Sequence, residues 1–187
     1  MKLAPTASPR AMLAFAVVAL ATSFGAACTS PGPRDGNGPS PIAFAPAAPL
    51  EGATVALRGR VDPLVPGRVA FDVIARGAGD VHGAAFRVSW DPAAMVFVEA
   101  TSGASWSKTA LALAKEGAPG QLAVAWTEKG ERSIDATAET VLGTLIFDAK
   151  SHASTTLAFT TERSQVVDKK GRRIAAQWLD ESLTSSR

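Results

Sequence analysis

The sequence predicts an all-β fold, a sandwich of two sheets, for most of the chain after residue 50. Short runs between residues 50 and 183 place apolar residues at every second position, which is the pattern of a strand with one buried face. Turn signals rich in Gly, Pro and Asp separate these runs, and no sustained amphipathic helix interrupts them. Strands at this spacing, without helices between them, are typical of a β-sandwich.

Five segments carry the clearest alternation and supply the predicted core. In each of them the apolar residues at every second position face inward, and the residues between them face outward. Two of the inward positions are tryptophans, Trp90 and Trp126, which we predict to be buried. The inward residues are Val69, Phe71 and Val73; Phe86, Val88 and Trp90; Leu122, Val124 and Trp126; Leu145, Phe147 and Ala149; and Leu157 with Phe159.

Two stretches between these strands have a less regular pattern. Residues 107–116 are rich in alanine, which permits a helix as well as a strand. Residues 134–140 are predicted to form a short helical turn before the strand around Leu145. Gly, Pro and Asp predict turns at residues 66–67, 77–80, 91–92, 117–120 and 168–171.

The first 27 residues have the composition of an export signal. Lys2 and Arg10 lie in a start without acidic residues, an apolar run of about 14 residues follows, and the small residues 25–27 come next. Such a run is too short to span a bilayer. Cys28 stands directly after the small residues and is the only cysteine in the chain. This order resembles the lipobox of bacterial lipoproteins, in which the cysteine is lipidated and becomes the new amino terminus.

Cys28 is therefore the predicted lipidation site. The alternative is an ordinary secretory signal that is cut after Ala26 or Ala27 and leaves Cys28 as a free thiol. An unpaired cysteine is otherwise hard to explain in an exported protein, which favours lipidation. The resemblance implies an exported protein anchored to the bacterial envelope by lipid. Thr29, where inner-membrane lipoproteins have Asp, favours the outer membrane, with the domain on its periplasmic or surface side.

A tether is predicted to follow the lipidated cysteine. Residues 28–49 hold six of the twelve prolines of the chain, together with several Gly and Ser. This composition cannot bury enough apolar surface to fold, and it favours extended polyproline II. The predicted organisation is thus a signal peptide at 1–27, a lipidated tether at 28–49 and a sandwich domain at 50–187.

The charge balance gives no sign of a nucleic-acid partner. The chain has 19 Lys and Arg against 17 Asp and Glu. Without Lys2 and Arg10 of the signal peptide, the two counts are equal, so no strong field remains to attract a polyanion. A single cysteine also rules out an intramolecular disulfide, so stability must come from the core.

Few residues could carry catalysis. The two histidines, His82 and His152, lie in predicted turns, and no nucleophile motif or metal-ligand spacing occurs. A glycosidase would need two carboxylates across a cleft. The available ones are Asp91, Glu99, Glu128 and Asp148, of which Asp91 begins an Asp-Pro turn. The sequence therefore predicts no enzyme, no catalytic residues, no metal site and no cofactor.

The strand motifs follow one another in a characteristic order. A strand that starts near Pro-Gly is followed by a Gly-led strand ending in aromatic-Asp-Pro and then by a hydrophobic strand. These segments are PGRVAFDV at 66–73, GAAFRVSWDP at 83–92 and MVFV at 95–98, followed by GQLAVAW at 120–126 and LGTLIFDAK at 142–150. This order resembles that of cohesin domains, and the resemblance covers about residues 53–183.

Several expectations follow from this resemblance. Cohesin-like domains are jelly-roll sandwiches of about nine strands, related in fold to sheet-based carbohydrate-binding modules. The best-known members bind dockerin modules through one sheet face. The resemblance therefore implies a non-catalytic binding domain whose partner is a protein, which need not be a dockerin because Gly83 and Ala85 replace polar residues of cellulosomal cohesins.

The outward residues of two strands define a candidate binding face: Arg87, Ser89, Ala123, Ala125 and Thr127. If the two strands are neighbours, as the resemblance implies, these residues form a flat surface of small side chains with one charge. A flat sheet suits a protein partner, and arginine is enriched among residues that dominate binding, so Arg87 is the predicted anchor. Trp106, in a loop, is the alternative contact, because exposed aromatics stack on sugars. Packing of a half-buried Trp106 ring is the other interpretation, and the one that we favour.

The predicted function is that of a lipid-anchored envelope module that docks a protein through a sheet face. One alternative is a carbohydrate-binding module linked to polysaccharide binding or degradation. Another is a structural envelope lipoprotein. The basic residues at 169–173 (KKGRR) fit a solvated hairpin turn, with contact to anionic headgroups or an acidic partner as the alternative.

Overall fold

The computed structural model describes residues 42–45, 47–150 and 154–185. Within these ranges the chain forms fifteen strands and one turn of 3-10 helix (Thr161–Arg163). Nine of these strands are five residues or longer. The strands are β1 (Ile42–Phe44), β2 (Thr54–Val61), β3 (Arg68–Arg76), β4 (Asp80–Val81), β5 (Gly83–Ser89), β6 (Met95–Ser102), β7 (Leu111–Glu116), β8 (Gln121–Thr127), β9 (Ile134–Asp135), β10 (Thr140–Ala149), β11 (Ser154–Phe159), β12 (Gln165–Val167), β13 (Arg173–Ile174), β14 (Gln177–Leu179) and β15 (Glu181–Ser185).

Two main sheets pack against each other, which confirms the predicted sandwich. The five-stranded sheet has the order β14–β2–β3–β10–β6. In the eight-stranded sheet, β5 is central. One edge of β5 pairs with β11 and β12, which lead to β15, β1 and β13, and its other edge pairs with β8, followed by β7. Strands β4 and β9 form a separate short pair.

The core lies between these sheets and follows the alternation of the sequence. All the predicted inward residues of the five segments are buried, except Ala149, which is half-buried at the end of β10. Phe147 is at the centre of an aromatic cluster. Its ring centroid lies 5.7 Å from that of Phe71, 5.0 Å from that of Trp90 and 5.7 Å from that of Phe97, all in edge-to-face geometry.

Gly143 allows β10 to pass close to a core tryptophan. A Cβ atom at this position would lie 2.4 Å from Cη2 of Trp126 and 2.5 Å from the carbonyl oxygen of Thr101. The pairing of β10 with β3 also shifts register between Val141 and Gly143. No larger residue fits here without moving the backbone of the neighbouring strand or the indole ring.

The sandwich begins earlier than the predicted boundary at residue 50. Strand β1 lies inside the stretch assigned to the tether and pairs antiparallel with β15, Ile42 opposite Ser185 and Phe44 opposite Leu183. The Phe44 ring packs 5.7 Å from that of Phe71 and occupies the space left by Gly59. Proline content suggested an unfolded tether, but three apolar residues suffice to extend an existing sheet. The predicted signal peptide, Cys28 and the tether up to residue 41 lie outside the described residues.

The ambiguous stretch at residues 107–116 ends in a strand. Strand β7 pairs residue by residue with β8, from Leu111 opposite Thr127 to Glu116 opposite Leu122. Its side chains are all exposed, and within the described chain β8 is its only strand partner. Alanine favours a helix in isolation, but pairing with an existing strand satisfies one row of backbone groups and overrides that preference.

The predicted helical turn at residues 134–140 is wrong. Ile134 and Asp135 form β9 opposite β4, and the side chain of Ile134 is buried. The Asp135 carboxylate then accepts a hydrogen bond from the Thr137 amide at 2.9 Å, which turns the chain directly into β10 at Thr140.

The last two strands join different sheets and close the sandwich. Strand β14 runs parallel to β2, whereas β15 pairs with β11 and β1 in the opposite sheet. Trp178 of β14 is half-buried, and its ring packs 4.8 Å from that of Phe159. In the described part of the chain, no helix has the length and apolarity that crossing a bilayer requires.

The basic stretch at residues 169–173 forms the turn between β12 and β13. The Asp168 carboxylate accepts hydrogen bonds from the amides of Lys170 and Arg172, both at 2.9 Å, and pairs with the Arg172 guanidinium at 2.6 Å. The side chains of Lys169, Lys170 and Arg173 are exposed. This geometry matches the predicted solvated hairpin turn.

Candidate functional site

Strands β5 and β8 bring the predicted face residues together. Arg87 lies opposite Ala123, and Ala85 lies opposite Ala125. Directly opposed residues of an antiparallel pair point to the same side of the sheet. The pair that lies between these two, Phe86 opposite Val124, is buried, so the side chains of the flanking pairs point outward. The structure therefore places all five residues predicted on these strands on one outer face: Arg87, Ser89, Ala123, Ala125 and Thr127.

Strand β7 widens this face with residues that the sequence did not single out. Leu111, Leu113 and Lys115 lie opposite Thr127, Ala125 and Ala123, so they point to the same side. The exposed fraction is 45% for Leu111 and 64% for Leu113. The alternation of these residues with alanines indicated a strand, but the high helix propensity of alanine made a helix equally compatible with the sequence.

We call this surface the β5–β8–β7 face. It is flat along its middle because small side chains, Ala85, Ala123 and Ala125, separate the leucines of β7 from Arg87. Its outward residues are Gly83, Ala85, Arg87 and Ser89 of β5; Gln121, Ala123, Ala125 and Thr127 of β8; and Leu111, Leu113 and Lys115 of β7.

A depression of about 460 Å³ lies at one end of the β5–β8–β7 face. One side is the β7–β8 turn around Gly117, and the other is the 3-10 turn that follows β11. That turn is attached to β5, since the Thr160 amide donates a hydrogen bond to the Arg87 carbonyl at 2.9 Å. The lining residues are Arg87, Val88, Lys115, Gly117, Gln121, Leu122, Ala123, Thr160 and Arg163.

Trp106 does not belong to an exposed site, contrary to its place among the candidate contacts. Only 6% of its surface is exposed, and its Nε1 donates a hydrogen bond to the Leu142 carbonyl at 2.6 Å. The indole can be buried here because its ring packs against β10 and its one N–H finds a hydrogen-bond acceptor on the same strand. Every other Phe and Trp of the described residues is buried or half-buried.

Glu128, at the end of β8, holds the loop that carries Trp106. Its carboxylate is buried and accepts hydrogen bonds from the Ser107 amide at 2.7 Å and the Ser107 hydroxyl at 2.5 Å. The half-exposed Arg132 guanidinium lies 3.6 Å from this carboxylate. Burial alone would raise the pKa of Glu128, but the Ser107 hydrogen bonds and the charge of Arg132 outweigh it and keep the pKa below the ordinary 4.5.

Glu128 is expected to contribute stability that disappears as the pH falls below 4.5. A carboxylate whose pKa is lower in the folded state stabilises the fold above its unfolded pKa, and this contribution is lost as the pH falls through the folded pKa. We expect Glu128→Gln to lower the free energy of unfolding by about 1–3 kcal/mol near neutral pH. The difference between the variant and the unmodified protein should shrink at acidic pH, as measured by urea denaturation at a series of pH values.

Glu181 provides a control of opposite sign. Burial raises the pKa of Glu181, so its contribution is present at low pH and is lost as the pH rises through the folded pKa. Glu181→Gln should therefore change the pH profile in the opposite sense to Glu128→Gln. Parallel profiles for the Glu128→Gln variant and the unmodified protein would show that the Ser107 contact does not hold this loop.

Three of the other residues considered for chemistry, His82, Asp91 and Asp148, have structural partners, and Glu99 is exposed on β6. Nδ1 of His82 lies 2.7 Å from the Arg132 carbonyl oxygen. The Asp91 carboxylate accepts a hydrogen bond from the Ala93 amide in the predicted Asp-Pro turn, and Asp148 pairs with Arg68 at 3.0 Å. His152 lies outside the described residues. Within the described ranges, no group of three or more His, Cys, Asp or Glu is placed to hold a metal ion.

No protein-family model and no curated protein matches the chain. Solved structures of cohesins do match it. The sixth cohesin of scaffoldin B from Acetivibrio cellulolyticus, solved in complex with a mutant Cel5 dockerin, has a TM-score of 0.58 at 14% identity, over 70% of this chain and 96% of the other.

Two cohesins from other sources give similar values. The cohesin module of a family 33 glycoside hydrolase from Clostridium perfringens has a TM-score of 0.57 at 15% identity, over 72% of this chain and 96% of the other. The non-cellulosomal cohesin of the hyperthermophilic archaeon Archaeoglobus fulgidus has a TM-score of 0.54 at 13% identity, over 70% and 88%. The domain therefore has a cohesin-like jelly-roll fold, as the strand motifs predicted.

Proposed function

We propose that the domain is a non-catalytic docking module that binds a protein partner through the β5–β8–β7 face. The observation that carries this proposal is the exposure of Leu111 and Leu113 beside a flat row of alanines. Apolar side chains that extend from a flat sheet into solvent gain free energy when a partner covers them. The cohesin-like fold supports the same assignment, because cohesins with this fold have been solved in complex with dockerins.

The composition of the face favours a protein over a sugar. Alanine side chains lose little conformational entropy and shed little water when a partner packs on them. Sugar recognition relies on exposed aromatic rings, and the described residues contain no exposed Phe or Trp. A carbohydrate-binding function thus has no specific contact to support it here, and a purely structural role would leave the exposed leucines unexplained.

The partner class is a protein with an apolar patch that fits a flat sheet. A dockerin is one candidate, since some of the similar cohesins were solved in complex with a dockerin. The non-cellulosomal cohesin from Archaeoglobus fulgidus shows that the fold also occurs outside cellulosomes. Here the β5–β8–β7 face has Gly83 and Ala85 on β5, so binding would depend on the leucines of β7 and on Arg87.

We also propose that the module is displayed on the bacterial envelope by a lipid on Cys28. The supporting observations are those of the sequence: a basic start, an apolar run and small residues before a single cysteine. Three acyl chains, as lipoproteins carry, would anchor the chain stably, since two already suffice. A docking module fixed in this way would hold its partner at the membrane surface.

Site-specific photocrosslinking tests the docking face in the full chain. A photoreactive phenylalanine analogue at position 113 should form a covalent adduct with one protein in the producing cells. The matched control is position 96, because Val96 is 49% exposed and faces outward on β6, the edge strand of the opposite sheet. We expect an adduct from position 113 and none from position 96.

The protein identified in the adduct then allows a measurement of affinity. Leu113→Glu should weaken binding about tenfold or more, because an ionised side chain would be covered in a contact built for an apolar one, whereas Val96→Glu should not. Equal adducts from both positions, or equal effects of both substitutions, would refute docking through this face. Binding on a glycan array without any protein adduct would instead favour the carbohydrate alternative.

A further inference from the structure

The depression at the end of the β5–β8–β7 face is lined by three cations. Arg87 is on β5, Lys115 is on β7 and Arg163 is in the 3-10 turn, so three separate segments contribute one positive charge each. Among the residues that the structure describes, no carboxylate lines the depression. We propose that it receives an acidic segment of the docked partner, a chain that presents Asp or Glu carboxylates. This inference rests on the proposed docking function and adds the chemistry of the partner.

These three cations have no counter-charge within the described chain. No carboxylate of the described residues lies within ion-pair distance of Arg87, Lys115 or Arg163. Five of the seven other described arginines are paired, and only Arg76 and Arg173 are not. The pairs are Arg58 with Glu139, Arg60 with Asp72, Arg68 with Asp148, Arg132 with Glu128 and Arg172 with Asp168. The depression therefore gathers positive charge that the fold itself does not neutralise.

The acidic residues nearest in sequence do not line the depression. Glu116 follows Lys115, but it lies opposite Leu122, whose side chain is buried, so Glu116 is on the other side of the sheet from Lys115. Glu162 precedes Arg163 in the 3-10 turn and is exposed outside the lining. Like charges held together in this way repel each other, and an incoming anionic group would relieve that repulsion.

The size and lining of the depression suit carboxylate side chains. A volume of about 460 Å³ is within the range of small-molecule sites and leaves room for more than one carboxylate. Gln121 and Thr160 add neutral hydrogen-bonding groups to the lining. Arginine can bind a carboxylate with two parallel hydrogen bonds, so Arg87 and Arg163 would give directional recognition as well as attraction.

The position of the depression indicates a protein segment and not a free anion. It is continuous with the alanines and leucines of the β5–β8–β7 face, through Ala123 and Lys115. A partner that covers Leu113 would extend naturally over this end of the face. The apolar contact would then supply affinity, and the cations would select partners with acidic residues at one end and speed their association.

Fluorescence anisotropy with a labelled hexaglutamate peptide tests the cation cluster on the full chain in a non-ionic detergent. The variant Arg87→Gln, Lys115→Gln, Arg163→Gln removes the cluster. The matched control, Lys169→Gln, Lys170→Gln, Arg173→Gln, removes the same charge from the exposed β12–β13 turn. We expect the first variant to weaken peptide binding about tenfold and the control to change it less than about twofold.

Three results would overturn the inference. Equal weakening in both variants would mean that the peptide responds only to net charge. Displacement of the peptide by inorganic phosphate, at an ionic strength where chloride has no effect, would indicate a small-anion site. If position 113 forms as much adduct in the triple variant without the cation cluster, docking through the face stands, but the partner's acidic segment does not contribute to it. If position 113 forms no adduct in the unmodified background, the docking proposal itself fails.

Discussion

Replacing Phe147 with alanine is expected to lower the free energy of unfolding by about 3–5 kcal/mol. The side chain is fully buried, and its ring contacts those of Phe71, Trp90 and Phe97. Truncation removes its transfer free energy and leaves a cavity between two sheets whose strands are held by backbone hydrogen bonds, so the cavity cannot close completely. Urea denaturation followed by tryptophan fluorescence measures the change.

Ile146 is the matched control for this substitution. It neighbours Phe147 on β10 but points to the other side of the sheet, where it is half-buried. We expect Ile146→Ala to cost about 1 kcal/mol and Phe147→Leu to recover much of the loss seen with alanine. If Ile146→Ala proves as destabilising as Phe147→Ala, the two faces of β10 have been assigned the wrong way round.

Replacing Cys28 with serine is expected to abolish stable membrane association. A serine hydroxyl cannot take the thioether-linked lipid that the resemblance to lipoproteins implies for Cys28. Each buried methylene contributes about 0.8 kcal/mol to membrane binding, so the loss of several acyl chains changes the partition almost completely. Detergent phase partitioning of the full chain, with and without Cys28→Ser, measures this effect.

A neighbouring substitution controls for damage to the export signal. Ser30→Ala changes a hydroxyl residue two positions after Cys28 and should leave partitioning and processing unchanged. Mass spectrometry of the amino-terminal peptide should show an acylated cysteine in the parent protein and in Ser30→Ala, but no acylated residue 28 in Cys28→Ser. An unmodified protein that stays in the aqueous phase with a free thiol would support the ordinary secretory signal instead.

The strands and their inward faces could be predicted from the sequence because burial of one strand face requires apolar residues at every second position. A strand with one buried face must alternate apolar and polar residues, and Phe86, Val88 and Trp90 do so without exception. The adjacency of β5 and β8 was implied only by the resemblance to cohesins. Alternation reports which face of a strand is buried, but it does not report which strand lies beside it.

Edges and short strands were predicted poorly for the opposite reason. Strand β7 has no buried side chain, so its sequence carries no burial pattern, and its alanines are compatible with a helix. Strand β1 consists of three residues in a proline-rich stretch. Strands β7 and β1 form because a neighbouring strand offers unpaired backbone groups. The neighbour of β1 is β15, which is distant in the sequence.

The sequence by itself determined the core, the inward tryptophans, the all-β class and the five outward residues around Arg87. Only the tertiary structure decided that Leu113 lies beside Ala125, that Trp106 is buried, and that Arg163 reaches the same depression as Arg87 and Lys115. Burial selects an apolar residue type at each position, so the local sequence pattern predicts it. A binding surface depends on distances between segments far apart in the sequence, which are set when the strands pair and the sheets pack.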